Sequence, residues 1–127
     1  MSLCVKSSVS SHAVGIDIQV ITPKLEGVAR RVLNEDKFKY IEEPYRLEHL
    51  HVYWCAKEAL YKAYGQKGLN FKENIRVLPF NFGEISEKKP FFTWITEGVV
   101  ETIDFKKTYD VYFHKIQNCI LVYVVAK

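Results

Sequence analysis

Beyond Gly68 the chain changes character, and that change limits the fold more than any other feature of the sequence. Five short runs rich in Val, Ile, Phe and Tyr follow one another: IRVLPF from Ile75, FFTWIT from Phe91, VVETIDF from Val99, TYDVYFHKI from Thr108 and CILVYVVA from Cys119. Turn-type residues at Asn81-Phe82-Gly83, Lys88-Lys89-Pro90 and Ile116-Gln117-Asn118 separate several of them, so the runs read as strands.

Before Gly68 the pattern is mixed. HAVGIDIQVI from His12 alternates apolar residues and is rich in Val and Ile, which predicts a strand with Asp17 and Gln19 on one face and Ile16 and Ile18 on the other. Thr22-Pro23 then opens a helix, Thr22 as cap and Pro23 in the first turn, running through LEGVARRVLN and ending at Asn34-Glu35-Asp36. A second helix begins after Pro44 and reaches Tyr64, where Gly65 supplies the stop. The expected fold is α+β, an antiparallel sheet packed against two helices. With 127 residues and no repeat or linker, a single domain over residues 1–127 is expected. The Ser-rich residues 1–11, which open Met1-Ser2-Leu3, are expected to be disordered or left by cloning.

Composition narrows the class of function. Charged residues make up 26% and apolar residues 48%, as in ordinary globular domains. The longest apolar run is too short to cross a bilayer and no signal pattern opens the chain, so a cytoplasmic protein without membrane contact is expected. Cys4, Cys55 and Cys119 are odd in number and widely spaced, which suits reduced thiols better than disulfides or a zinc site. A net charge of +3 favours an acidic partner or a phosphate-bearing ligand but is too small to point to nucleic acid.

The predicted long helix contains WCAKEALYKAYG from Trp54. Val52, Ala56, Leu60 and Ala63 form a narrow seam whose small residues allow close approach to a sheet. Trp54, Glu58 and Lys62 lie four apart and share another face. Glu58 and Lys62 read either as an exposed pair stabilising the helix by roughly 0.2–0.5 kcal/mol, or as part of a site. Asp17 favours the site, because an acidic residue in an apolar strand needs a partner when buried. If strand and helix are neighbours, Asp17 and Glu58 can converge on a divalent ion, with Lys57 and Lys62 beside a place suited to a diphosphate. His49, His51 and His114 are expected to be surface or satisfied side chains and not ligands.

At these residues the sequence resembles the 4′-phosphopantetheinyl transferase superfamily. Its hallmarks, a glycine-led acidic strand and a helical W-x-x-K-E-A-x-x-K-x-x-G followed by a glycine loop, stand here as VGIDIQ and WCAKEALYKAYGQKGLNF, with ARRVLNEDKF between them. The resemblance covers Val14 to Val77. It implies transfer of the 4′-phosphopantetheine arm of coenzyme A to a serine of an acidic acyl or peptidyl carrier protein, a Mg²⁺-dependent phosphoryl transfer of the holo-acyl-carrier-protein synthase type. It further implies Mg²⁺ on Asp17, Gln19 and Glu58, and Glu58 as acceptor of the serine proton. Lys57 and Lys62 would meet the phosphates, and Lys62 would also protonate the leaving group. Gly65, Lys67 and Gly68 belong to the loop expected along coenzyme A. Trp54 is expected to pack rather than react. The alternative is a non-catalytic lobe that binds coenzyme A or a carrier.

Two departures from the family pattern matter. Gln19 stands where many members carry a second acidic residue, so metal binding would rest more on Asp17, Glu58 and the substrate diphosphate. The chain has the length of the short, trimeric members, while its tryptophan-bearing helix looks more like the second lobe of the two-lobed kind. Either a stand-alone lobe or a piece of a larger protein fits, and a homo-oligomer, dimer or trimer, is expected. The helix bearing Lys24, Arg30 and Arg31 is a candidate surface for the acidic carrier, or simply a solvated face.

Overall fold

The structure is a computed structural model that describes residues 13–33, 41, 45–81 and 93–127, without the side chains of Arg30 and Val32. The expectations for residues 1–11 and His12, for the turn at Lys88-Lys89-Pro90, and for Asn34-Glu35-Asp36 lie outside the described residues.

Among the described residues seven elements follow in chain order: β1 (Val14–Val20), α1 (Leu25–Val32), α2 (Arg46–Tyr64), β2 (Ile75–Val77), β3 (Thr93–Thr102), β4 (Phe105–Ile116) and β5 (Cys119–Ala126). The strands form one sheet in the order β1-β5-β4-β3-β2 with every neighbouring pair antiparallel. The α+β architecture expected from the sequence is the one found. No described helix is long and apolar enough to cross a membrane.

Several boundaries differ from the sequence reading, among them that of IRVLPF, where β2 stops at Val77. FFTWIT and VVETIDF are not two strands: Thr93–Thr102 is continuous and carries a register shift between Trp94 and Thr96. The extra residue of such a bulge breaks the alternation that would have marked one strand. VVETIDF instead runs into a hairpin turn at Ile103 and Asp104, after which β4 begins three residues earlier than Thr108. The first helix starts at Leu25, two residues later than Pro23. Its opening turn is nonetheless built by Thr22, whose carbonyl accepts from Leu25 N–H at 3.3 Å and whose hydroxyl accepts from Lys24 N–H at 3.4 Å.

Helix α2 lies on one face of the sheet, and the seam predicted for it is core: Val52, Ala56, Leu60 and Ala63 are all buried. Their sheet-side partners are the alternating residues Ile120, Val122 and Val124 of β5 and Tyr109, Val111 and Phe113 of β4. The helix ends as its sequence predicts, with Gly65 in the left-handed region at φ 77° and its N–H donating to Tyr61 O. The two-residue turn between β4 and β5 places Gln117 at φ 52°.

The inner face of β1 is the one that carries Gly15 and Asp17, both buried, while Ile16 and Ile18 occupy the outer face. Gly15 is what allows this. A Cβ there would lie 2.1 Å from the carbonyl oxygen of Ala59 and 2.9 Å from the backbone nitrogen of Ala63, so strand and helix touch backbone to backbone. Replacing Gly15 with Ala should force the helix off the strand and lower the unfolding free energy by about 3 kcal/mol, the upper part of the usual overpacking range. Urea denaturation measures this, and a loss of less than about 0.5 kcal/mol, as at an ordinary surface site, would show that the close approach is not needed.

Candidate active site

Because the helix sits so close to β1, the Asp17 side chain is delivered beneath it with no exposure to water. A carboxylate stripped of water must be compensated by donors or cations. Three side chains do so. Lys62 Nζ lies 2.7 Å from Oδ1, an ion pair spanning strand and helix in which the lysine side chain is itself only 16% exposed. Gln19 Nε2 donates to Oδ2 at 2.6 Å. Since the carboxylate can only accept, the amide turns its nitrogen to Asp17 and keeps its oxygen as a further acceptor. Cys55 Sγ lies 3.4 Å from Oδ2 and 3.2 Å from the main-chain oxygen of Asp17. Burial first, and then the charge of Asp17, push the Cys55 thiol well up, so it stays protonated and able to donate.

Glu58 stands one helical turn before Lys62 and is partly buried. Its affinity for a proton is raised, first by burial and second by the negative charge of Asp17, with Lys62 opposing. The two carboxylates therefore act on each other across the β1–α2 junction with the Lys62 ammonium between their influences. The Glu58–Lys62 spacing thus belongs to a three-residue cluster on two elements, with Lys62 engaged by Asp17 from a strand 45 residues away.

Asp17, Gln19, Glu58 and Lys62 are brought together. Gly65, Lys67 and Gly68 follow directly from the end of α2 and are exposed, with Gly68 also at positive φ, 96°. Lys57 is placed differently: it is 2% exposed and its ammonium donates to the main-chain oxygen of Phe71. Trp54 packs against Phe71 with ring centroids 5.5 Å apart. Cys55 was not singled out by the sequence, and no local signal marks it, because its acceptors are 38 residues away. His49 is buried between the rings of Tyr53 and Phe80.

Beside the cluster a pocket of about 190 Å³ opens between the end of β1, α1 and Trp54, with Gln19, Thr22, Lys24, Leu25 and Val28 in its walls. His51 closes its floor. Its Nδ1 lies 2.7 Å from Leu47 O and its Nε2 accepts the N–H of Thr22 at 3.0 Å, which places the proton on Nδ1. The ring is a fixed neutral link between α2 and the β1–α1 turn.

The donor set can be tested against a divalent ion. No group of three His, Cys, Asp or Glu gathers among the described residues. Asp17 and Glu58 with the Gln19 amide oxygen form an all-oxygen set, and Mg²⁺ typically uses only one or two protein carboxylates, with substrate phosphates and waters completing its octahedron. By donor type the set suits a hard dication, but both Asp17 oxygens are already engaged, Oδ1 by Lys62 and Oδ2 by Gln19 and Cys55, so an ion on this carboxylate would have to displace a donor.

A family model described as the 4′-phosphopantetheinyl transferase superfamily matches residues 13–118. Among solved structures, the acyl carrier protein synthase of Mycobacterium tuberculosis superposes with a TM-score of 0.58 at 18% identity, covering 93% of this chain and 98% of that one. At that identity the likeness is one of fold. No curated protein matches the sequence.

Burial lowers the pKa of His51 below 6.5, against a smaller raising effect of its bond to Leu47 O. The unfolded chain then binds more protons than the folded one as pH falls through 6.5 and below, so stability present at neutral pH should be lost in that direction. Urea midpoints should decline from pH 7 to pH 5 more steeply in the wild type than in His51→Gln. Equal slopes would remove His51 as the cause.

Proposed function

The chain belongs to the 4′-phosphopantetheinyl transferase superfamily, and from that membership and the Asp17 cluster we propose that it transfers the 4′-phosphopantetheine arm of coenzyme A to a carrier-protein serine. The observation that carries the reading is the buried Asp17 held by Lys62 beside a Glu58 whose proton affinity is raised. In the reaction the serine oxygen attacks the phosphorus that bears the arm. The bond from that phosphorus to the bridging oxygen breaks, and adenosine 3′,5′-bisphosphate leaves.

The protein's own groups answer the demands of that step. Glu58, with its raised affinity, is suited to accept the serine proton. In this reading Lys62 supplies positive charge where negative charge grows on the leaving phosphate, and gives it a proton. The exposed glycine loop lets backbone approach the substrate, with Lys67 adding charge. Asp17, Glu58 and the Gln19 oxygen would hold Mg²⁺, which when bound supplies neutralisation of the diphosphate. Lys62, Gln19 and Cys55 hold Asp17 in its present position, and the ion would take over one of its oxygens from such a donor.

Lys24 and Arg31 are exposed on α1 and its approach, and Lys24 lines the pocket that also holds Gln19. An acidic carrier docked there would bring its serine toward the cluster. A holo-acyl-carrier-protein synthase type of activity is our reading of this arrangement.

We also propose that the protein self-associates. The outer sheet face sets Ile16 and Ile18 beside Tyr123 and Leu121, Tyr123 stacks on Tyr112 at 4.8 Å, and Trp94 is 50% exposed. Neither described helix covers it, and such a face calls for a partner. Light scattering at micromolar concentration should give a dimer or trimer mass, and a monomer would remove this part of the reading.

The transfer itself is tested by incubating the protein with apo-carrier, coenzyme A and Mg²⁺ and weighing the carrier by mass spectrometry. The added arm is expected. Asp17→Asn and Glu58→Gln should lower the rate by about 10²-fold or more, as losses of electrostatic groups commonly do, with circular dichroism showing both folded and Asp17→Asn unfolding at lower urea because Lys62 loses its partner. Near-wild-type rates would defeat those roles. Gln19→Glu should lower the Mg²⁺ concentration needed, since it exchanges a donor on Asp17 for another charged oxygen, and an unchanged requirement would separate Gln19 from the ion. Binding of coenzyme A without transfer would favour the non-catalytic lobe.

A further inference from the structure

We propose that Lys57 is a positioning residue which fixes the glycine loop through Phe71, rather than a residue that touches phosphate; the inference rests on the reading of residues 65–69 as the coenzyme A loop. Trp54, Lys57 and Tyr61 recur at intervals of three and four, so they share one face of α2. All three meet Phe71. The Trp54 and Tyr61 rings lie 5.5 and 5.2 Å from the Phe71 ring, and the Lys57 ammonium donates to the Phe71 main-chain oxygen. At 2% exposure Lys57 has given up its water, and an ammonium does that only where acceptors take over.

The consequence falls on the segment between. Its start is fixed by the Gly65 N–H bond to Tyr61 O at 3.1 Å. Its end is fixed by Phe71 and, just beyond, by an asparagine pair. Asn70 Oδ1 accepts from Lys72 N–H and Glu73 N–H, each at 2.9 Å, while Asn70 N–H donates to Asn74 Oδ1 at 2.8 Å. Asn74 is in turn joined to β3 through Glu101 O at 3.0 Å. Tyr61 serves both ends, its carbonyl at Gly65 and its ring at Phe71. Gln66, Lys67 and Gly68 are thus held out as a short exposed bow with both feet on the same turns of α2. A bow already ordered spends less conformational entropy when a ligand lies along it.

Lys57→Met keeps the length and apolar bulk of the stem while removing the ammonium. In the ligand-free protein, amide hydrogen exchange at Asn70, whose N–H is held by Asn74 Oδ1, should accelerate about tenfold, the size expected for losing a hydrogen bond to a charged group. The KM for coenzyme A should rise by about the same factor, whereas the KM for the carrier should change less than about twofold. Phe71→Leu, which keeps the carbonyl but removes the ring contacts, should reproduce both effects. The double variant should be no worse than the more severe single one, because residues that act through a shared contact are not additive.

Unaltered exchange in ligand-free Lys57→Met, together with a raised coenzyme A KM, would mean that Lys57 acts by touching the ligand and would overturn the proposal. Fully additive losses in the double variant would do the same. Should Lys57→Met fail to fold, the exchange and KM of Phe71→Leu decide alone: both effects support the bow, and neither overturns it. If no preparation, wild type included, transfers the arm, the functional reading fails while the exchange result still decides the loop.

Discussion

A single carboxylate with no access to water, Asp17 beneath helix α2, sets the terms for this structure. Isolated in an apolar interior such a charge would cost many kcal/mol. It is held here by an ammonium at 2.7 Å, an amide and a thiol. The ion pair is a liability as well as a tie. Removing one member of a buried pair commonly costs about 3–5 kcal/mol because the other is stranded, so the two residues constrain each other. The backbone contact at Gly15 makes the arrangement geometrically possible, since a strand held off by even one methyl group could not pass Asp17 so closely under the helix.

Much of this was legible in the sequence, and the limits have physical causes. The alternation of VGIDIQV identified a strand and separated its faces correctly. It did not say which face was inside, because apolar residues usually mark the buried side and here Ile16 and Ile18 lie on the outer one. The inner side is set by a residue with no side chain and one with a charge. The helix seam and its glycine stop were readable because helical spacing and left-handed C-terminal glycines are local properties. The strand Thr93–Thr102 was not readable as one element, since its bulge shifts the alternation partway along.

The site shows the same division. Asp17, Glu58 and Lys62 were recoverable from motif spacing, and the structure places them together. Lys57 adjoins Glu58 in the same motif, yet adjacent helical residues point about 100° apart, and its acceptor is the carbonyl of a residue beyond the glycine loop. Cys55 and His51 were missed as structural links for a similar reason. Their partners, Asp17 and Thr22, lie 38 and 29 residues away, and nothing within a local window reports a contact of that range.

The pairing of β1 with β5 carries a consequence in time. Asp17 faces Val122 across the ladder, about a hundred residues on in the sequence. During synthesis the strand that bears the carboxylate therefore emerges early and waits for its neighbour until nearly all of the described sequence has left the ribosome. Contacts of such long range are slow to close because chain entropy must be spent before they repay it. The helix can form in the meantime from its own local bonds. The strand that carries the carboxylate is consequently among the last parts of the molecule to gain its place in the sheet, although the helix it lies under is complete long before.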